Sequence, residues 1–252
     1  PAILIAESGE VITWYLPAAV SQYNQERVWE SLKHLEISLP QSIGRSRDTK
    51  KWRMDSTLFR RDSKLAGTVN LSPAWFQQGH SMAYALLKPG RNKEEAKQWL
   101  ATIFKVHYHL SAAMGVMHPQ MYTIGQHTLI EIWEDASAEI REALQVWPSV
   151  YSSLSLMVNQ CSPYHLDKMG KLQWFDQLLT VGHYSNLDLV LPTLRLRLDY
   201  LLGTIVAFSG KLLVHGVGET DGDRACIAWY MQDKVHRAMN VGECGYCRLD
   251  DL

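Results

Sequence analysis

Apolar residues recur along this chain with two different periods, and the change between them falls near residue 150. Residues 23–35 place Val28, Trp29, Leu32 and Leu35 on one face at helical spacing. Residues 92–113 predict the clearest helix, with Asn92 and Glu95 at capping-box spacing and an apolar stripe of Ala96, Trp99, Leu100, Ile103, Phe104 and His107. His107 on such a stripe predicts a core histidine rather than a ligand. Residues 136–147 predict a shorter helix that stops before Pro148. Ahead of these, residues 3–15 predict a small hairpin around Ser8-Gly9.

Beyond residue 150 the pattern shortens to strands and turns, up to about residue 231. Residues 153–160 (SLSLMVNQ) predict a strand. Residues 203–217 (GTIVAFSGKLLVHGV) predict a strand, a tight Ser-Gly turn and a second strand that ends at His215. Residues 223–231 (DRACIAWYM) predict one more strand, with Arg224, Cys226, Ala228 and Tyr230 on a common face. Helices first and strands later predict an α+β architecture, residues 1–149 being a helical, basic part and residues 150–252 the β core of the same domain.

Composition narrows the classes. The 252 residues are 46% hydrophobic and 20% charged with a net charge of −1, which suits one large folded domain. No apolar run reaches the length of a membrane span, and no signal peptide is visible. The chain opens at Pro1 without Met, as an excised or processed piece would. Cys161, Cys226, Cys244 and Cys247 do not form a secreted disulfide framework, so a reducing, intracellular location is expected. Cys244-Gly-Tyr-Cys247 has knuckle spacing but no second pair, and predicts two reduced surface thiols.

Chemistry enters at Pro163-Tyr164-His165-Leu166-Asp167 and Val214-His215-Gly216. His-x-Asp is common by chance, but here a strand leads into each histidine. Two histidines and one carboxylate can occupy one face of an octahedral Fe(II) and leave positions open. Arg224 follows His215 at the distance of the next strand, where a guanidinium fork can hold a dicarboxylate such as 2-oxoglutarate. A second cluster lies over residues 44–64. Arg45, Arg47, Lys50, Lys51, Arg53, Arg60, Arg61 and Lys64 face only Asp48, Asp55 and Asp62 there. A solvated surface loop and a phosphate-binding segment both fit this excess, and Trp52 and Phe59 are placed to pack on sugar or base.

From about residue 150 to 232 these motifs resemble the catalytic core of the TET/JBP family, 2-oxoglutarate- and Fe(II)-dependent dioxygenases that oxidise the methyl group of modified bases in DNA. The resemblance implies a double-stranded β-helix, or jelly-roll, with an N-terminal helical buttress. It implies His165, Asp167 and His215 as iron ligands and Arg224 as the partner of the distal carboxylate of 2-oxoglutarate. Cys226 stands where the family often has a hydroxyl near the cosubstrate. His183 either lines the cosubstrate pocket or simply ends a strand. Tyr230 matches the aromatic that stacks on a flipped base, and Gln232 stands where members often place a base-reading histidine.

Implied with these are a double-stranded DNA substrate with a flipped methylated base, bound by Arg45, Arg47, Lys50, Lys51 and Arg53. A monomer, a nuclear location and no membrane partner are expected as well. 5-Methylcytosine, oxidised to 5-hydroxymethylcytosine and beyond, is the expected substrate, with N6-methyladenine a second. Two rivals remain. An oxygenase acting on a small molecule or protein side chain has no use for the basic segment. A binding-only β-helix has no use for an intact triad and arginine.

Overall fold

The chain enters through β1 (Ala2–Ile5) and β2 (Val11–Leu16), an antiparallel pair that turns at Gly9 with φ +92°, a left-handed value that favours glycine. There follow α1 (Gln22–Ser31), β3 (Gly67–Phe76), β4 (Ala83–Leu86), α2 (Lys93–Met117), α3 (Pro119–Glu134) and α4 (Ala138–Gln145). The strand-rich half comprises β5 (Ser153–Val158), β6 (Ser162–His165), β7 (Asp176–His183), β8 (Asp188–Leu191), β9 (Leu196–Asp199), β10 (Ile205–Phe208), β11 (His215–Val217), β12 (Asp223–Tyr230) and then α5 (Asp233–Ala238). The structure, a computed structural model, describes residues 1–44, 49–76, 83–86 and 93–252, with backbone alone at 49–51, 75–76 and 83–86.

Two antiparallel sheets form the jelly-roll. The larger has the order β1-β2-β10-β7-β12-β5-β3-β4 and the smaller β6-β11-β8-β9. Alternation along β12 shows how they are layered. Ala225, Ile227 and Trp229 point to the helix side, into a core with Trp99, Leu100, Ile103 and Trp147. Between the sheets lies a second apolar cluster of Tyr184, Leu187, Leu189, Leu191, Tyr200, Val206, Phe208, Leu213 and Val217. No helix among the described residues is long and apolar enough to cross a membrane.

Several expectations need correction. The N-terminal part is not only helical: it supplies four of the eight strands in the larger sheet, and β3 pairs with β5 through Leu71 and Leu154. The period change near residue 150 therefore marks no architectural boundary. Helix α2 runs past residue 113 to Met117, and α3 was not anticipated. It begins at Pro119, where the His118 side chain accepts from the Met121 amide at 3.4 Å. Phe104 lies off the buried stripe and is exposed, with Val106 taking its place. Asn92 lies outside the described residues. β10 and β11 do not pair across the Ser-Gly turn: they belong to different sheets, and His215 begins β11 instead of ending it.

His107 is a core residue, as predicted. It is buried between Trp147 (5.0 Å) and Trp229 (5.6 Å), with neither ring nitrogen hydrogen-bonded. Loss of hydration pushes its pKa down to about 3. In the unfolded chain the ring protonates near its ordinary value of about 6.5. Between the two values the unfolded state holds the extra proton, so stability falls as pH falls from about 6.5 towards 3, by up to about 1.4 kcal/mol per pH unit. His107→Phe is expected to flatten this acid limb, measured by urea unfolding of the metal-free protein from pH 7 to 5. An unchanged limb would show that His107 is not a source of the acid sensitivity.

Candidate metal and cosubstrate site

His165 ends β6 and His215 begins β11, and the two strands pair in register with these residues opposite each other. Their rings lie 4.2 Å apart. Each Nδ1 faces the carbonyl oxygen two residues earlier, Pro163 at 2.9 Å and Leu213 at 3.0 Å. A carbonyl can only accept, so each Nδ1 carries the hydrogen and each Nε2 offers a lone pair. Asp167 completes the group, with Oδ1 3.7 Å from the Nε2 of His165 and Oδ2 3.5 Å from that of His215. The three ligand atoms lie within 4.8 Å of one another.

Electrostatics keeps His165 and Asp167 in the forms a metal needs. Lost hydration, then His215, lowers the pKa of His165 to about 4, so the ring is neutral. Burial alone would raise the Asp167 carboxyl, but His215, Arg53 and His165 outweigh it and hold Asp167 below the usual carboxylate range. Two imidazoles and one carboxylate fit Fe(II) with open positions.

Two neighbours missed at the sequence level, Gly210 and Asp176, set this geometry together with Trp52. Gly210, between β10 and β11, accepts the Asp167 amide at 2.8 Å and donates its own amide to Asp176 at 3.1 Å. A Cβ at Gly210 would lie 2.5 Å from Asp176 Oδ2, 3.0 Å from Asp167 Oδ2 and 3.3 Å from His215 Cε1. Burial first, and Asp167 second, raise the Asp176 carboxyl well above its ordinary range. Trp52 lies with its ring 4.6 Å from that of His165. The Ser-Gly turn was the signal for Gly210 and was read as a hairpin, Asp176 had none, and Trp52 was singled out only as a surface to pack on sugar or base.

Arg224 is 4% exposed. Its Nε donates to Thr180 Oγ1 at 3.1 Å and its guanidinium lies 5.2 Å from the Tyr200 ring. Among the described residues no carboxylate pairs with it. A buried cation with no internal counter-ion is costly, and an incoming dicarboxylate supplies one. Cys226 lies two residues on, its sulfur 3.6 Å from the Tyr200 hydroxyl. Arg224→Lys keeps the charge and loses the fork, which is expected to raise the KM for 2-oxoglutarate about ten- to a hundredfold. The KM for the second substrate should move little, and equal shifts in both would count against this role.

The remaining candidates fall on both sides of the site. Tyr230 shares the inner face of β12 with Arg224. Its hydroxyl accepts from Ser155 Oγ at 3.4 Å, and its pKa is raised by burial first, with Asp167 and Asp176 adding to the effect. Gln232 departs from expectation: it is buried, with its amide nitrogen 2.5 Å from Ser153 Oγ, and is turned inward instead of presenting a base-reading edge. For His183 the strand-end alternative holds and the pocket alternative does not. It lies one step out of phase with Thr180, the residue that holds Arg224, and packs edge-on against Trp29 of α1 at 5.2 Å. It ends a strand on the helix side.

Arg45 and Arg47 lie outside the described residues, as do the side chains of Lys50 and Lys51. Arg53 faces inward, its Nη2 2.5 Å from Asp167 Oδ1 and its guanidinium 4.4 Å from the Trp52 ring. Arg60 pairs with Asp223 at 3.2 Å. Cys244 and Cys247 are free thiols but buried, not on the surface. Burial first pushes both up to about 11.

Residues 72–233 match the family Tet_JBP, described as the oxygenase domain of the 2OGFeDO superfamily. No curated protein matches the chain. Among solved structures, NgTET1 in complex with 5mC DNA is similar, with a TM-score of 0.60 at 13% identity over 97% of this chain and 80% of that one. A viral collagen prolyl hydroxylase from Paramecium bursaria Chlorella virus-1 gives a TM-score of 0.41 at 9% identity, over 86% and 94% of the two chains. A prolyl hydroxylase from Trichoplax adhaerens gives 0.43 at 10% identity, over 89% and 86%.

Proposed function

From the premise that this chain belongs to the Tet_JBP family of 2-oxoglutarate- and Fe(II)-dependent oxygenase domains, we propose that it oxidises the methyl group of a modified base in double-stranded DNA. 5-Methylcytosine is the first substrate, N6-methyladenine the second, and a single chain acts in the nucleus. The observation that carries the DNA reading is that two residues of the basic segment lie against the metal site, Trp52 4.6 Å from His165 and Arg53 2.5 Å from Asp167. The likeness to a protein solved with 5mC DNA supports it.

Each residue then has a task. His165 and His215 offer their Nε2 atoms to Fe(II) and Asp167 offers a carboxylate oxygen. Arg224 takes the far carboxylate of 2-oxoglutarate, with Thr180 fixing the guanidinium. Iron, 2-oxoglutarate and oxygen together supply an oxidant able to take hydrogen from a C–H bond, leaving succinate and carbon dioxide. Phe208, 5.0 Å from the His215 ring, and the apolar cluster between the sheets keep water from the inner side. The target base must leave the stack to reach the site. Tyr230 stacks on it, while Arg45, Arg47, Lys50 and Lys51 hold the backbone.

The deciding experiment is mass spectrometry of nucleosides after incubating methylated duplexes with the protein, Fe(II) and 2-oxoglutarate. 5-Hydroxymethylcytosine is the expected product, and oxidation of neither methylated base would overturn the reading. Tyr230→Ala should cost about 1–3 kcal/mol in engaging the flipped base and leave metal and 2-oxoglutarate binding nearly unchanged. Turnover at the parent rate would remove Tyr230 from the role.

A further inference from the structure

We infer that a second nucleic-acid contact surface lies beside the metal site, on a basic shelf built from residues 168–171 and α5, and that it takes backbone phosphates of the duplex whose base enters the site. The inference rests on the function proposed above.

The shelf is a concavity of about 460 Å³ lined by Lys168, Met169, Asp233, Lys234, Arg237 and Ala238. It starts one residue after the ligand Asp167. Four bonds make it rigid. Asp167 N–H donates to Gly210 O at 2.8 Å and Asp233 N–H to Met169 O at 3.0 Å. Lys211 Nζ donates to Gly170 O at 2.9 Å, and Lys171 Nζ pairs with Asp233 at 3.0 Å. A rigid support of this kind fixes charges at set positions before a ligand arrives, which reduces the ordering cost of binding.

Charge and exposure give the ligand class. Lys168, Lys171, Lys211, Lys234 and Arg237 are gathered here, and the carboxylates among them are Asp233 and Glu243. Asp233 is taken by Lys171 and Arg237, and Glu243 by Lys171. Lys168 and Lys234 are exposed and make no ion pair among the described residues. In a chain of net charge −1 such a local excess attracts polyanions. Leu166 and Met169 are also exposed on the same turn, a basic and apolar mixture suited to sugar-phosphate.

The nucleotide geometry agrees. Charges along one DNA strand are spaced at roughly 3.4 Å of helix axis, so a nucleotide that reaches the triad must carry its flanking phosphates across the rim of the site. Sequence reading missed the shelf because its cations are dispersed over residues 168 to 237. Only the fold gathers them.

The test is the salt dependence of binding to a 5-methylcytosine duplex, read by fluorescence anisotropy with the full chain, Mn(II) and 2-oxoglutarate under anaerobic conditions. Lys168→Ala/Lys234→Ala removes two exposed, unpaired cations and should leave the fold intact. The slope of log Kd against log salt should fall by about 1.8 relative to the parent, equally for methylated and unmethylated duplexes. Lys168→Arg/Lys234→Arg should keep the parent slope. A parent slope in the alanine variant overturns the inference, as does a parent protein that binds no duplex. If the parent oxidises methylated DNA while the alanine slope is unchanged, only the shelf is wrong. Poly-glutamate displacing DNA from the parent but not from the alanine variant, at an unchanged DNA slope, would assign the shelf to an acidic protein instead.

Discussion

Asp167→Ala is expected to abolish succinate formation while leaving the fold intact, and His165→Ala to do the same. Removing Asp167 leaves two imidazoles on the metal, so the loss should exceed the roughly 10- to 100-fold that changes in outer-shell partners typically cost. The fold should survive because the ion pair being broken is partly exposed: the Arg53 and Asp167 side chains are 47% and 35% accessible. Exposed pairs of this kind contribute about 0–1 kcal/mol. Succinate release and circular dichroism, measured together, decide the point. Full turnover by either variant would mean the metal is held elsewhere.

Gly210→Ala should be nearly as damaging, although glycine has no side chain to offer the metal. The added methyl would lie 2.5 Å from Asp176 Oδ2, closer than real structures tolerate, and 3.0 Å from Asp167 Oδ2, a tight contact. Either the ligands move or the turn does. Metal affinity is expected to fall about 10- to 100-fold, with an overpacking cost of about 1–3 kcal/mol in stability. Mn(II) titration followed by electron paramagnetic resonance reads the first, and urea unfolding the second. Parent affinity in this variant would show that the turn has room to spare and that Gly210 is not a constraint on the ligands.

The contrast between these two sites shows what the sequence could convey. His165, Asp167, His215 and Arg224 were legible because their chemistry is carried by residue type and each lies at or beside the end of a strand-like run. The inward face of β12 was legible from alternation alone. Gly210, Asp176 and Thr180 were not, because they act through backbone geometry and through pairings between strands far apart in sequence. The role of Arg53 was hidden in the same way. Eight cations in one stretch look like a phosphate surface, yet Arg53 is directed to Asp167 because its carbonyl is held by Gln160 at 3.1 Å, at the end of β5. Gln232 failed for the opposite reason: its side chain could serve a site, but burial turns it away, while for His183, left open between a pocket and a strand end, strand phase decides for the strand end. Of the four N-terminal strands, β1 and β2 were legible as the hairpin around Ser8-Gly9, whereas β3 and β4 were missed because only their pairing with each other and with β5 reveals them.

β6 is four residues long and stands at the edge of the smaller sheet. It carries His165, and its partner β11 carries His215. A bound ion thus fastens an edge strand to its neighbour, and it can do so only while the two are paired. Metal occupancy and local opening of this edge are therefore one linked equilibrium, the closed form gaining RT ln(1 + [metal]/Kd). Chelation would release the fastener and leave β6 free to peel from β11, baring main-chain donors and acceptors on which another chain can template. An ion bound for catalysis would thereby also limit self-association, so for this enzyme loss of iron and loss of solubility should go together.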